Sequence, residues 1–426
     1  MATPSARTQR GCPHAPACVG CPLIGTPYGG QLRAKVARVA AAVAAYPRLS
    51  GLAVPPVIGS PRLFGYRNQA KLVVRRSRRG LLLGVYRPGT HEVVDISECP
   101  VHDPRITDVL RGVRAASEAL SAPVYDERDG SGWLRYVVVR TSAWRRAAEV
   151  ILVVRGRAWP GERELVKRLR RLRGVASVVL NVNASPGNAI FGPTFISSPV
   201  DGALYERIGA VTLRSRAGAF LQANIGVARR VYQCALRFAD PGPDDIAVDL
   251  YCGVGAISLM LAGRAKFVLG VEESARAVLD AKRNIRLNGY HNVRFTAAQA
   301  DEGLAQAAAM FDRIDVVVVN PPRKGLDAVT RAAIASAAPR RIVYVSCDPD
   351  TLARDLDRFA EHGWRITAVQ PFDMLPQTEH VECVALLESG GAGEDRDDRR
   401  LGDAARSAEA TDRRGNGEGS RRTIDA

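Results

Sequence analysis

Apolar and polar residues change rhythm about halfway along the chain. From Ile246 onward, short continuous apolar runs alternate with helical stretches: IAVDL at 246–250, FVLGV at 267–271, VRFTA at 293–297, IDVVVV at 314–319 and RIVYVS at 341–346. Runs that are apolar throughout, and separated by helices, predict a parallel sheet covered on both faces. A last run, VALL at 384–387, predicts one further strand. Before Asp240 the pattern is mostly strands of alternating character. Gln69–Arg76 and Leu81–Arg87 flank a Ser77–Gly80 turn and predict a hairpin, and Leu134–Arg140 with Glu149–Val154 predicts another. Residues 161–172 have helical spacing, 176–182 return to strand, and 32–45 predict a separate helix stopped by Pro47.

This organisation predicts an α/β protein in four parts. Residues 1–22 form a cysteine-rich segment completed by Cys99. Residues 23–215 form a β-rich central domain with the helical segment near 32–45. A parallel α/β domain spans 216–388, and a tail spans 389–426. The tail mixes Gly, Asp, Arg and Ser with almost no apolar residues. It cannot bury enough surface to offset its ordering entropy, so disorder is expected there.

Charge sharpens the division. The 426 residues carry a formal net charge of +16, distributed unevenly. Residues 1–240 hold 36 Lys/Arg against 15 Asp/Glu, whereas residues 241–388 hold 16 against 20. The first 90 residues contain 14 basic side chains and no carboxylate. A bias toward Arg codons would spread over the whole chain, and this excess stops near residue 240. It suits a polyanion such as RNA, because Lys and Arg release counterions when they meet phosphates. No segment reaches the roughly 18 apolar residues of a membrane span, and the first residues lack the apolar core of a secretion signal. The expectation is a monomeric cytoplasmic protein without membrane contact, whose cysteines are reduced.

In a parallel sheet, ligands bind beyond the carboxyl ends of the strands, so the residues after each run are the candidates for chemistry. The first run ends in Asp249-Leu250-Tyr251-Cys252-Gly253-Val254-Gly255. Glycines there let a ligand approach the backbone at a helix N-terminus. Ser258 replaces the third glycine of the dinucleotide fingerprint, and the second run ends in Glu272-Glu273. A carboxylate at that point commonly accepts the hydroxyls of a ribose, so S-adenosylmethionine is favoured over a dinucleotide. The competing reading is a structural turn beside a surface acid pair.

The fourth run leads into Asn320-Pro321-Pro322-Arg323-Lys324-Gly325. Amino-group methyltransferases usually place an aromatic residue after such an Asn-Pro-Pro corner, and RNA cytosine-C5 enzymes place a cysteine in this loop. Arg323 matches neither. The fifth run ends in Ser346-Cys347-Asp348-Pro349, which places a cysteine at the sheet edge as a candidate nucleophile. An inert buried thiol is the plain alternative. Downstream, FDMLPQTEHVEC at 372–383 supplies the carboxylates Asp373, Glu379 and Glu382 and the imidazole of His380 as candidate bases. Cys12, Cys18, Cys21 and the distant Cys99-Pro100 suit zinc or an iron–sulfur cluster, and three clustered cysteines plus one remote are closer to the cluster pattern.

Taken together, DLYCGVG, NPPRKG, YVSCDPDTLARDL and FDMLPQTEHVE resemble the motifs of the RNA uracil-C5 methyltransferase family, whose members modify transfer and ribosomal RNA. YRNQAKLVV at 66–74 and AGAFLQAN at 217–224 resemble its central-domain and junction motifs, so the resemblance covers nearly all of residues 12–388. It implies a Rossmann-like class I methyltransferase domain beside a β-rich RNA-binding domain. It further implies Gln222, Tyr251, Glu272 and Asn320 as cofactor contacts, Cys347 as nucleophile and Glu382 as base. The cysteine set resembles the [4Fe–4S] branch, with Cys12, Cys18, Cys21 and Cys99 as ligands. Three departures stand out. Ala256 replaces an Asn found in some members, Asn320 replaces an Asp found in others, and the chain starts at the cysteine motif where many relatives carry a small β-barrel. That last feature resembles the 23S ribosomal-RNA branch, with transfer RNA as the alternative. An amino-group methyltransferase and a non-catalytic iron–sulfur RNA-binding protein remain the rival readings.

Overall fold

The strands of the second half are buried on both faces, and that burial orders them. Five consecutive buried residues, Ile246–Leu250, and four consecutive valines, Val316–Val319, can only sit in the middle of a covered sheet. The computed structural model describes residues 12–390 except 157–158, 186, 188 and 199–201. The segment from 391 onward, where disorder is expected from composition, and residues 1–11 lie outside the described residues.

In chain order the helices are α1 (Tyr28–Ala44), α2 (Pro104–Ala119), α3 (Glu162–Arg170), α4 (Ile225–Ala239), α5 (Ala256–Ala262), α6 (Ala275–Asn288), α7 (Ala300–Met310), α8 (Ala328–Ser336) and α9 (Pro349–Glu361). The strands of the first lobe are β1 (Gln69–Ser77), β2 (Gly80–Tyr86), β3 (Val93–Asp95), β4 (Leu134–Ser142), β5 (Ala147–Val154), β6 (Val175–Val182) and β7 (Thr194–Ser198). They form one sheet in the order β3-β2-β1-β4-β5-β6-β7, antiparallel except where β5 meets β6. Helices α2 and α3 cover it through Ile106, Leu110, Leu165 and Leu169. A hairpin of β8 (Leu204–Ile208) and β9 (Val211–Ser215) leads into the second lobe.

The second lobe holds β10 (Ile246–Leu250), β11 (Phe267–Glu272), β12 (Val293–Ala297), β13 (Val316–Val319), β14 (Arg341–Ser346), β15 (Trp364–Phe372) and β16 (Glu382–Ser389). Their order is β12-β11-β10-β13-β14-β16-β15. The five strands read from the sequence are mutually parallel, and β16 and β15 run antiparallel at the far edge. The chain therefore has the Rossmann-like α/β domain and the additional β-rich domain that the resemblance implied.

Helix α1 packs Val39, Ala42 and Val43 into the core formed by β10, β13, β14 and β16. The helix that the sequence groups with the central lobe thus lies on the catalytic sheet. Two glycines in its first turn, Gly29 and Gly30, hide its start from a propensity reading.

Candidate active site

The strand order places the implied site residues in a row. Glu272 ends β11, Tyr251 follows β10, Asn320 follows β13 and Cys347 follows β14, all at the carboxyl edge of adjacent strands. Because β16 runs the other way, its first residue, Glu382, comes to the same edge. Ser346 pairs with Cys383, so one step further along the antiparallel register sets Cys347 opposite Glu382.

At the first loop, Tyr251 has φ 61 and Gly255 has φ 88, left-handed values that turn the chain sharply from β10 into α5. A Cβ on Gly255 would lie 2.4 Å from the Phe295 ring, so only glycine fits there. Gly253 has open space around its Cα, which leaves its backbone approachable. The Glu272 carboxylate accepts from the Gly253 N–H at 3.0 Å and the Ser274 N–H at 2.9 Å. Tyr251 bonds Thr330 of α8 through its hydroxyl. Asp249, to which the sequence attaches no role, is fully buried. One of its oxygens accepts from the Ser258 hydroxyl at 2.5 Å, the other has no partner, and burial pushes its carboxyl up to about 7. Ser258, at the place of the missing third glycine, thus serves Asp249.

The Cys347 end is differently built. Asp348 caps α9 by accepting from the Asp350 and Thr351 N–H groups at 3.1 and 3.2 Å, with Pro349 in the first turn. Cys347 therefore sits just before a helix N-terminus, which favours a thiolate. Burial and the Glu382 carboxylate push its pKa up, and a hydrogen bond from the Arg323 guanidinium opposes them. Glu382 is buried and pushed up to about 7 by that burial, against a side-chain hydrogen bond from Gln222 and the charge of Arg323. Gln222 also bonds the buried Tyr232 of α4. Gln222, implied as a cofactor contact, thus also lies near Glu382.

Residues 203–390 match the model of the tRNA (uracil-5-)-methyltransferase family. An uncharacterised RNA methyltransferase of Geobacter sulfurreducens is 42% identical over 380 residues, covering 89% of this chain and 77% of that protein. One from Halalkalibacterium halodurans is 37% identical over 383 residues, covering 90% and 84%. The chain belongs to the RNA uracil-5-methyltransferase family. Among solved structures, Pyrococcus abyssi tRNA (uracil-54, C5)-methyltransferase in complex with S-adenosyl-L-homocysteine matches with a TM-score of 0.72 at 27% identity, covering 87% of this chain and 84% of that one.

Of the four candidate bases in this uracil-5-methyltransferase, geometry separates one. Glu379 is exposed. His380 lies 3.2 Å from the Arg323 guanidinium, and burial with that cation pushes its pKa down. Asp373 is buried in an ion pair with Lys35, and Glu382 alone of the four is buried against Cys347. Arg323, distinguished in the sequence only as a non-aromatic residue, therefore reaches Cys347, His380 and the neighbourhood of Glu382. Phe220, two residues before Gln222, is an exposed aromatic ring, 67% accessible.

The four N-terminal cysteines are half-buried and interact with one another. Cys21 is pushed up to about 12 by burial first, and then by Cys99, Cys18 and Cys12. Burial pushes the Cys99 pKa up, against the nearby backbone N–H groups of Val101 and His102. Among the described residues, no group of three or more His, Cys, Asp or Glu side chains is arranged to hold a metal ion. No helix among them is long and apolar enough to cross a membrane.

Proposed function

We propose that this chain methylates C5 of a uridine in a structured RNA, with S-adenosylmethionine as donor. The observation that carries the reading is Cys347 opposite Glu382 at one sheet edge, the acid buried with a pKa near neutrality. Uracil C5 is a poor nucleophile. Addition of the Cys347 thiolate to C6 sends electron density to C5 as an enolate, which can accept a methyl group. S-adenosylmethionine, when bound, supplies that methyl on a sulfonium. Tyr251, Asn320 and the open backbone at Gly253 would hold it, with the Glu272 carboxylate facing its ribose. The Glu382 carboxylate then takes the C5 proton, the C5–H electrons re-form the C5–C6 double bond, and the Cys347 thiolate leaves. One difficult step becomes several easier ones. Arg323 supports the thiolate by its hydrogen bond. The base must leave its stack to reach the pocket, at a cost of a few kcal/mol, and Phe220 offers it a ring.

Replacing Cys347 by Ala should abolish both 5-methyluridine formation and covalent capture of 5-fluorouridine RNA. A variant that retains either would sink the mechanism. For the RNA itself, the cysteine set resembles the 23S ribosomal-RNA branch, and the P. abyssi neighbour supports transfer RNA. Sequencing RNA from a deletion strain for the missing 5-methyluridine decides between them.

We assign Cys12, Cys18, Cys21 and Cys99 to a [4Fe–4S] cluster, with zinc as the alternative. The support is chemical. Cys12 and Cys18 oppose ionisation of the half-buried Cys21 and Cys99, a conflict that a bound cation relieves. Anaerobically purified protein should absorb in the visible blue. A colourless protein with stoichiometric zinc would refute the cluster.

A further inference from the structure

Residues 373–378 connect β15 to the strand that starts with Glu382, and distant parts of the chain hold them. The Asp373 carboxylate accepts from Lys35 Nζ at 2.5 Å and from the Tyr28 hydroxyl at 2.8 Å. Lys35 also donates to the Leu375 carbonyl at 3.1 Å, and its side chain and that of Asp373 are both buried. One turn earlier on α1, Gln31 donates to the Gln377 side-chain oxygen at 2.8 Å and accepts from the Gln377 N–H at 2.9 Å. The Gln377 carbonyl accepts from the Leu23 N–H at 3.0 Å, and the Pro376 carbonyl from the Tyr66 hydroxyl at 3.0 Å.

These bonds converge on a strained residue. Gln377 has φ 70, a left-handed conformation that a residue with a Cβ keeps only where its surroundings over-determine it. Its N–H, its carbonyl and its side-chain oxygen are all taken by residues 23 and 31. Five residues later the chain delivers Glu382 beside Cys347. Leu23 in turn lies two residues after Cys21. A buried ion pair such as Lys35–Asp373 is by itself weak evidence of anything beyond packing. The strained, fully bonded Gln377 between α1 and the base is what points further.

We propose that Gln31 is a positioning residue for Glu382, acting through Gln377, and that α1 with the segment after Cys21 sets the geometry of proton removal from C5. The proposal rests on Glu382 as base in the reaction proposed above. Adduct formation by Cys347, which directly follows β14, depends on this clamp far less. Loosening it should therefore slow the last chemical step selectively. A displacement of about 1 Å at a reacting group costs on the order of a hundredfold.

The test is Gln31→Met, which keeps chain length and removes both bonds to Gln377, together with those to the Leu23 and Thr26 carbonyls. Turnover should fall roughly tenfold to a hundredfold, with KM for RNA little changed. A denaturation-stable enzyme–RNA adduct should accumulate during turnover of ordinary uridine RNA. Wild-type enzyme run alongside must form 5-methyluridine and be trapped by 5-fluorouridine RNA; if it does neither, the parent reading fails rather than the clamp. With those controls in place, unchanged turnover overturns the proposal. So does slowed turnover without adduct, because that means attack and proton removal were impaired together. If Gln31→Met does not fold, Tyr28→Phe removes a single hydroxyl from Asp373 and carries the same two readouts at smaller amplitude.

Discussion

Among the described residues the two large sheets each have seven strands, and each buries carboxylates that differ in how closely a cation partners them. In the β-rich lobe, buried Glu149 is matched by Arg140 at 2.9 Å and by the Ser177 hydroxyl at 3.1 Å, and Arg140 is itself satisfied by Ser215 and the Arg216 carbonyl. In the catalytic lobe, Asp249 has one serine hydroxyl and an oxygen with no partner, and Glu382 has the Gln222 amide with Arg323 nearby. Both acids rise to about 7 because burial outweighs their partners. Glu149 is in direct contact with a guanidinium, although burial pushes its pKa up as well, whereas Asp249 and Glu382 have no cation in direct contact and hold a proton that can move near neutral pH. That contrast locates the chemistry more sharply than net charge does.

The largest break expected in this comparison comes from Glu382→Gln. The amide keeps the shape and cannot take a proton, so turnover should fall by about a hundredfold to ten-thousandfold. The Cys347–RNA adduct should persist, seen as a band that survives denaturation. Normal turnover would remove Glu382 from the base role. In the wild type, activity should rise as pH climbs through about 7, where the carboxyl ionises.

The same variant should reveal what the buried acid costs the fold. The Glu382 pKa is raised from 4.5 in the unfolded chain to about 7 in the folded one. Its contribution is therefore fully present below pH 4.5 and declines as pH rises through about 7. The decline corresponds to about 3 kcal/mol at one pKa unit per 1.4 kcal/mol. Glu382→Gln should match the wild type in thermal stability at about pH 5 and exceed it at about pH 8. Equal melting temperatures at the higher pH would show that Glu382 ionises there without penalty.

Much of this was legible in the chain. Continuous valine and isoleucine runs can only be strands covered on both faces, so β10, β11, β13 and β14 were readable, and their ends named Tyr251, Glu272, Asn320 and Cys347. Helix α2 escaped notice, although Asp103 caps it and Pro104 opens it, because its apolar stripe is interrupted by charged residues. The edge strand β15 alternates exposed and buried residues and carries no strong apolar run. Side-chain partnerships were the hardest to see. Lys35 and Asp373 are 338 positions apart, and nothing local in either segment announces the other. Arg323 was visible as a residue but not as the partner of Cys347, since that pairing arises only when β13 and β14 lie side by side.

The smallest expected effect tests the other half of the comparison. A groove of about 490 Å³ between α3, β6 and β7 is floored by Val166, Val178, Leu180 and Ile196 and rimmed by Arg163, Lys167, Arg170 and Arg171. Lys167 leans on Glu164 at 3.8 Å, which leaves the three arginines as the better phosphate ligands. If the basic lobe holds RNA by its backbone, replacing Arg163, Arg170 and Arg171 by Ala should raise KM for RNA by about tenfold and leave the rate at saturation unchanged. The slope of log affinity against log salt should flatten by about two to three, near 0.7–0.9 for each phosphate no longer neutralised. S-adenosylmethionine affinity should not move, because the residues proposed to hold it lie on the other sheet. An unchanged salt slope would mean that these arginines serve only the solubility of the lobe, and that the RNA is held elsewhere on the basic half.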